Sequence, residues 1–92
     1  MRGNRIDRNQ NEIVAALRKL GFSVAITSAL GKGFPDIVVG KNGKNWLFEL
    51  KDNEKTPSQK KLTPDEEKFF AAWRGQVNKV ESIDEILAVT EF

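Results

Sequence analysis

The sequence predicts a single α/β domain, more narrowly α+β, in which a central four-stranded mixed sheet is flanked by helices in the order α-β-β-β-α-β-α. Three observations carry this expectation. Apolar residues recur at helical spacing in three segments, two of them opened by capping signatures. Runs rich in Val, Ile and Phe lie between those segments and read as strands. An Asn42-Gly43 pair, the strongest short hairpin signal, separates two such runs. A chain of 92 residues with 39% hydrophobic content supports one modest core, so residues 1–92 are read as one domain.

The elements follow in order. A basic segment, 1–8, carries Arg2, Arg5 and Arg8 and leads into a helix over 9–20, where Ile13, Ala16, Leu17 and Leu20 share a face and Gly21 supplies a left-handed cap. Residues 22–28 are rich in Val, Ile and Thr and read as a strand. Gly31, Lys32, Gly33 and the Phe34-Pro35 pair then break regular structure, giving a flexible loop before Asp36. Ile37, Val38 and Val39 form a short strand, and 46–51 alternates as the returning arm of the hairpin. The polar stretch 52–61, which contains Pro57, is expected to be an exposed loop that moves in the absence of substrate.

Thr63-Pro64-Asp65-Glu66 combines an N-cap hydroxyl, proline at the first helical position and an acid three residues after the cap. The helix it opens carries Phe69, Phe70 and Trp73, whose shared face is expected in the core rather than stacked on nucleic-acid bases, as is Trp46. Residues 76–80 form a strand reached through a right-handed crossover. Ser82 with Glu85 then caps a final helix bearing Ile83, Ile86, Leu87 and Val89.

Composition removes whole chemistries. The chain has no His, Cys or Tyr, which excludes the usual zinc sites, imidazole-assisted nucleophiles and tyrosine recombination. Carboxylates, lysines and a borrowed metal remain. No apolar run approaches a membrane span and the basic start leads into a polar helix, so a soluble intracellular protein is expected. The net charge of +2 attracts polyanions only where cations cluster.

The hairpin supplies the candidate site. If Asn42 and Gly43 are the turn, Lys41 pairs with Lys44, and counting outward sets Val39 against Trp46, Ile37 against Phe48 and Asp36 against Glu49. Alternation puts Asp36, Glu49 and Lys51 on one face, with Ile37, Val39, Trp46, Phe48 and Leu50 on the other. Opposed carboxylates about 5 Å apart repel by roughly 3 kcal/mol at an effective dielectric near 20, so something positive belongs between them. Lys51 is one such charge. A hard divalent cation held by carboxylate oxygens and a backbone carbonyl is another, and Mg²⁺ suits that oxygen-only set better than zinc. Such an ion favours phosphodiester hydrolysis. Lys51 then orients the attacking water, deprotonates it, or neutralises the phosphate. The plain alternative is an edge hairpin with a surface Glu49–Lys51 pair and Asp36 capping the Gly-Pro loop.

The strings Gly33-Phe34-Pro35-Asp36, Phe48-Glu49-Leu50-Lys51 and Lys61-Leu62-Thr63-Pro64-Asp65 resemble the PD-(D/E)XK nucleases, and within them the small stand-alone VRR-NUC domains of phages and bacteria. The resemblance runs from Arg5 to about Leu87. It implies a restriction-endonuclease-like core, a bacterial or phage-infected cytoplasm, and hydrolysis of DNA with Mg²⁺ or Mn²⁺. It also implies metal ligation by Asp36, Glu49 and the Leu50 carbonyl, Lys51 as the water-activating residue, and Glu12 of the first helix as a supporting acid. Glu66 stands where many relatives carry Gln. Its capping role already accounts for it, and Gln59 is read as unrelated to the site.

Arg2, Arg5, Arg8, Lys32, Lys55, Lys60 and Lys61 are the candidates for holding a phosphate backbone. The stand-alone relatives imply branched DNA such as a Holliday junction, and cutting both strands of a junction calls for two sites, hence a homodimer. A catalytically inactive nucleic-acid-binding or partner-binding module on the same scaffold is the alternative, and RNA stays open as a substrate.

Overall fold

Asn42 and Gly43 both adopt left-handed backbone angles, with φ of 55° and 79°, so the hairpin closes through the tight turn that this dipeptide favours. The computed structural model describes residues 8–91 of the chain. Its order is α1 (Arg8–Lys19), β1 (Ser23–Ile26), β2 (Ile37–Lys41), β3 (Lys44–Leu50), α2 (Pro64–Ala72), β4 (Asn78–Val80) and α3 (Ile83–Thr90). Two short 3₁₀ turns, Ser28–Leu30 and Pro57–Lys60, lie in the connections. The expected α-β-β-β-α-β-α order is therefore present, and the strands form one sheet in the order β1-β2-β3-β4. β1, β2 and β3 run antiparallel, while β4 joins β3 in parallel.

The register is the one counted from the turn: Lys41 faces Lys44, Val39 faces Trp46 and Ile37 faces Phe48. Because side chains alternate, one sheet face presents Ile37, Val39, Trp46, Phe48 and Leu50, all buried. Ile13, Val14 and Leu17 of α1 and Ile86 of α3 close over that face, joined by Phe22 and Val80. Gly21, at φ 93°, turns the chain from α1 into β1. The opposite face, with Val38, Leu47 and Glu49, is where the acid pair lies.

Two expectations about apolar side chains are corrected. Leu20 belongs to the helical stripe in sequence, yet it is exposed, because α1 ends at Lys19 before the stripe completes another turn. No residue of α2 is fully buried, so Phe69, Phe70 and Trp73 do not enter the main core; Trp46 does. The expectation of a bare loop at 52–61 is also refined. Thr56 caps the Pro57–Lys60 turn through a reciprocal pair of bonds with Gln59, the same device that Thr63 and Glu66 use for α2. At the other end of α2, the Gln76 side chain pairs with both the N–H and the carbonyl of Leu47, each at 2.8 Å. A side-chain amide thus takes the place of strand pairing that the sequence predicts to begin at residue 76. Among the described residues no helix is long and apolar enough to cross a membrane.

Candidate active site

The paired register ends at Ile37 and Phe48, so the expected Asp36–Glu49 pair lies one step beyond it, where the backbone leaves the ladder. The Asp36 N–H donates to the Phe48 carbonyl at 3.1 Å, and its own carbonyl accepts from Thr27 N–H at 2.8 Å, so its backbone is held from both neighbouring strands. Thr27 Oγ1 also donates to the Pro35 carbonyl at 2.7 Å, fixing the approach of the loop. The Asp36 side chain reaches across the hairpin, where Oδ2 accepts the Leu50 N–H at 2.8 Å.

Glu49 lies on β3 between β2 and β4, and it is only 3% exposed. A surface pair on an edge strand is therefore not what this hairpin builds. One carboxylate oxygen, Oε2, lies 3.7 Å from Lys51 Nζ. The other, Oε1, is buried with no donor to bond it, and the carboxyl lies against those of Asp36 and Glu66, a state that costs a carboxylate dearly unless it is protonated or meets a cation. Burial, and then the neighbouring Asp36 charge, push the Glu49 carboxyl up to about 10. Burial also raises the Asp36 carboxyl, against the opposing pull of the Leu50 amide.

Lys51 leaves the sheet at this end. Its N–H donates to the Val80 carbonyl at 2.9 Å, and its carbonyl accepts from Asn9 Nδ2 at 3.1 Å. Nζ donates to Glu66 Oε1 at 2.9 Å. The same carboxylate oxygen accepts the Thr63 N–H at 2.9 Å, so Glu66 closes the helix cap and grips the lysine at once. Burial opposes charge on both partners; nevertheless Lys51 is held above its ordinary value by Glu66, Glu49 and Asp36, and Glu66 below its own by the Thr63 amide and Lys51. Gly33 brings α2 close enough for this, since a Cβ there would strike the Asp65 carbonyl.

These residues border a cleft of about 230 Å³ lined by Asp36, Glu49, Leu50, Lys51, Asp52, Lys55 and Gln59. Gln59, read from sequence as unrelated, is thus at the site. The signal for it was present: Thr56-Pro57-Ser58-Gln59 repeats the pattern of Thr63-Pro64-Asp65-Glu66 seven residues earlier. Lys55 also lines the cleft. Lys60 is instead paired with Glu81 at 3.1 Å and ties the turn to the end of β4. Lys32 and Lys61 are exposed away from the cleft lining. Glu12 is exposed on α1 and lines a separate depression with Asn9, Asp52, Asn53 and Glu54, touching the cleft only through the shared Asp52. Arg2, Arg5 and the side chain of Arg8 lie outside the described residues.

The donor chemistry suits a hard cation. Asp36 and Glu49 supply carboxylate oxygens, and Glu49 Oε1, which meets no donor, is the atom that most needs a positive charge. Among the described residues no three His, Cys, Asp or Glu side chains converge to hold an ion by themselves. Two carboxylates alone do not fill the coordination shell of such an ion.

No family model and no curated protein matches this chain. Among solved structures it is similar to a VRR-NUC domain, at 26% sequence identity and a TM-score of 0.59, over 92% of this chain and 95% of that one.

Proposed function

Since the chain has a VRR-NUC-like nuclease fold, we propose that it is a Mg²⁺-dependent endonuclease that hydrolyses DNA phosphodiester bonds and selects branched DNA such as a four-way junction. The observation that carries this reading is the buried Glu49 carboxyl, whose Oε1 meets no donor, beside Asp36 and Lys51. A fold built only for structure gains nothing from an unpaired acid there. Asp36, Glu49 and the Leu50 carbonyl would hold Mg²⁺ or Mn²⁺, which supplies a polarised phosphate and an acidified water when bound.

The protein's own groups do the rest. The Leu50 amide holds the Asp36 carboxylate through Oδ2, at the cleft that Asp36 lines. Lys51, already in an ion pair at 2.9 Å with Glu66, enters as a cation: from this position it orients the attacking water and offsets the charge that builds on the phosphate. Lys55 and Gln59 at the cleft rim bind the neighbouring backbone. Glu12, in a separate depression that shares only Asp52 with the cleft, would act as a supporting acid from outside it. One active site cuts one strand, so resolving a junction requires a two-fold symmetric homodimer.

The test is incubation of the purified protein with labelled junction, flap, linear duplex and single-stranded DNA in Mg²⁺, Mn²⁺ or EDTA. Cleavage in either metal, strongest on the junction and absent in EDTA, is the expected result. Binding without cleavage in every metal condition would replace this reading with that of a non-catalytic module on a nuclease scaffold.

A further inference from the structure

Phe34, Phe69 and Trp73 form a separate aromatic cluster outside the main core. The Phe69 and Trp73 rings stack with centroids 4.9 Å apart and 19° between their planes. Phe34 meets both edge-on, at 5.3 Å and 6.4 Å. Trp73, at the end of this stack, is 42% exposed. Gly75 packs at the nitrogen side of the indole, where a Cβ would come within 3.1 Å of Nε1, so a side chain there would crowd the ring. An aromatic stack that ends on an exposed ring is incomplete, and a further flat aromatic ring extends it with little distortion.

The surroundings identify the kind of ring. The two segments that build the cluster, 28–35 and 68–75, carry Lys32, Lys68 and Arg74 and contain no acidic residue; all three cations are exposed. The acids of α2, Asp65, Glu66 and Glu67, are confined to its first turn. Cations that flank the rings in sequence, with the acids of α2 at the opposite end of the helix from Trp73, match a nucleobase on its phosphate chain better than an apolar protein face. The cluster is also tethered to the cleft at two points. Phe34 lies two residues before Asp36, a reach of at most about 7 Å. Phe69 lies one helical turn after Glu66, whose carboxylate holds Lys51.

We infer that the Phe34–Phe69–Trp73 cluster is a base-stacking platform that receives an unpaired nucleobase of the DNA strand threaded through the adjacent cleft. The inference rests on the nuclease reading for the identity of the strand. It adds a reason for substrate choice: a base inside an intact duplex is already stacked, so only a single-stranded, flap or branch-point base can be donated to Trp73.

The experiment measures binding of a fluorescein-labelled oligothymidylate, and of a blunt duplex of equal length, to the full chain in EDTA, where no cleavage occurs. Tryptophan emission is followed in the same titration. Oligothymidylate is expected to quench the exposed Trp73, whereas Trp46 in the core is out of reach. Trp73→Ala should weaken oligothymidylate binding about ten-fold, as loss of one stacked base does, and leave duplex binding within about two-fold. Trp73→Phe should restore most of the affinity. The inference is overturned if Trp73→Ala binds both probes as the wild type does, or weakens both equally. It is also overturned if Trp73→Ala turns a dimer into a monomer by light scattering without changing oligothymidylate affinity, because the patch is then a contact between copies. Cleavage by the wild type in Mg²⁺ is scored separately. Cleavage with unchanged Trp73→Ala binding removes the platform alone, and stacking without cleavage removes the nuclease reading alone.

Discussion

Glu66 Oε1 lies 2.9 Å from Lys51 Nζ and 2.9 Å from the Thr63 amide nitrogen, so one carboxylate oxygen serves both a helix cap and the lysine of the site. Sequence pattern finds the first role, because Thr63 and Glu66 have capping spacing. The second depends on α2 docking where Gly33 lets it approach. The position of the helix and the position of the lysine are therefore linked through one side chain.

Glu66→Gln and Glu66→Ala separate the two roles. The glutamine keeps an oxygen for the Thr63 amide but not the charge, whereas alanine loses the cap as well, at a cost of about 1 kcal/mol. The folded Glu66 carboxyl sits below its ordinary 4.5, so the stability it adds is complete above that pH and is lost as pH falls through the lower folded value. Urea unfolding should show wild type more stable than Glu66→Gln at pH 6, with the gap closing as the solution becomes more acidic than the ordinary glutamate range. A gap that persists unchanged at pH 2.5 would mean that charge plays no part.

Asp36→Asn and Lys51→Ala are expected to lower cleavage by at least about 1,000-fold while leaving the circular dichroism spectrum and DNA binding largely intact. Asparagine is preferable to alanine at Asp36, since its side-chain oxygen can still accept the Leu50 amide. Alanine would leave that N–H unpaired, at about 1–3 kcal/mol. Activity retained by Asp36→Asn would remove this residue from the site.

Glu49 predicts an unusual pH dependence. Its folded carboxyl is pushed up to about 10 from 4.5, so between those values the native state holds a proton that the unfolded chain has released. Stability accordingly falls as pH rises across that window. Glu49→Gln should flatten the slope and be more stable than wild type at pH 8 in EDTA. Mg²⁺ should relieve the same penalty by displacing the proton, raising the unfolding temperature more at pH 8 than at pH 5.5; at a hundred times its dissociation constant a ligand contributes about 2.7 kcal/mol. Equal shifts at the two pH values would show that the ion binds elsewhere.

What the sequence made legible is local. Asn42-Gly43 fixes a register, and a side-chain period of two then places Asp36, Glu49 and Lys51 on one face without further information. The caps at Thr63 and Ser82 mark helix starts that the structure reproduces. Contacts distant in sequence were hidden. The burial of Glu49 depends on β4 pairing alongside β3 from thirty residues away, as Glu49 faces Lys79. Helical periodicity shows that Phe69 and Trp73 share a face with each other, but not whether that face meets the core or only Phe34. Gln59 was hidden for a different reason: its capping partner Thr56 was in plain view, and the polar composition of 52–61 argued for a loop.

The dependence of the site on the turn yields the last prediction. Asn42 and Gly43 occupy left-handed conformations, and the Lys41–Lys44 pair closes directly on them. One residue inserted after Gly43 must be absorbed as a bulge or as a slip of one arm. A slip carries every side chain of that arm to the opposite face: Phe48 would leave the core and Glu49 would enter it. The bulge is the cheaper outcome, because it keeps Ile37, Val39, Trp46 and Phe48 buried. It still increases the local twist and changes how far Asp36 stands from Glu49 at the other end of the arms. Calorimetric titration should therefore show weaker Mg²⁺ binding by the insertion variant, although Asp36, Glu49 and Lys51 are all present. Amide exchange should show both strands still protected. Unchanged affinity would mean that the acid pair is positioned by the Thr27 and Leu50 contacts alone, with the turn serving only to connect the strands.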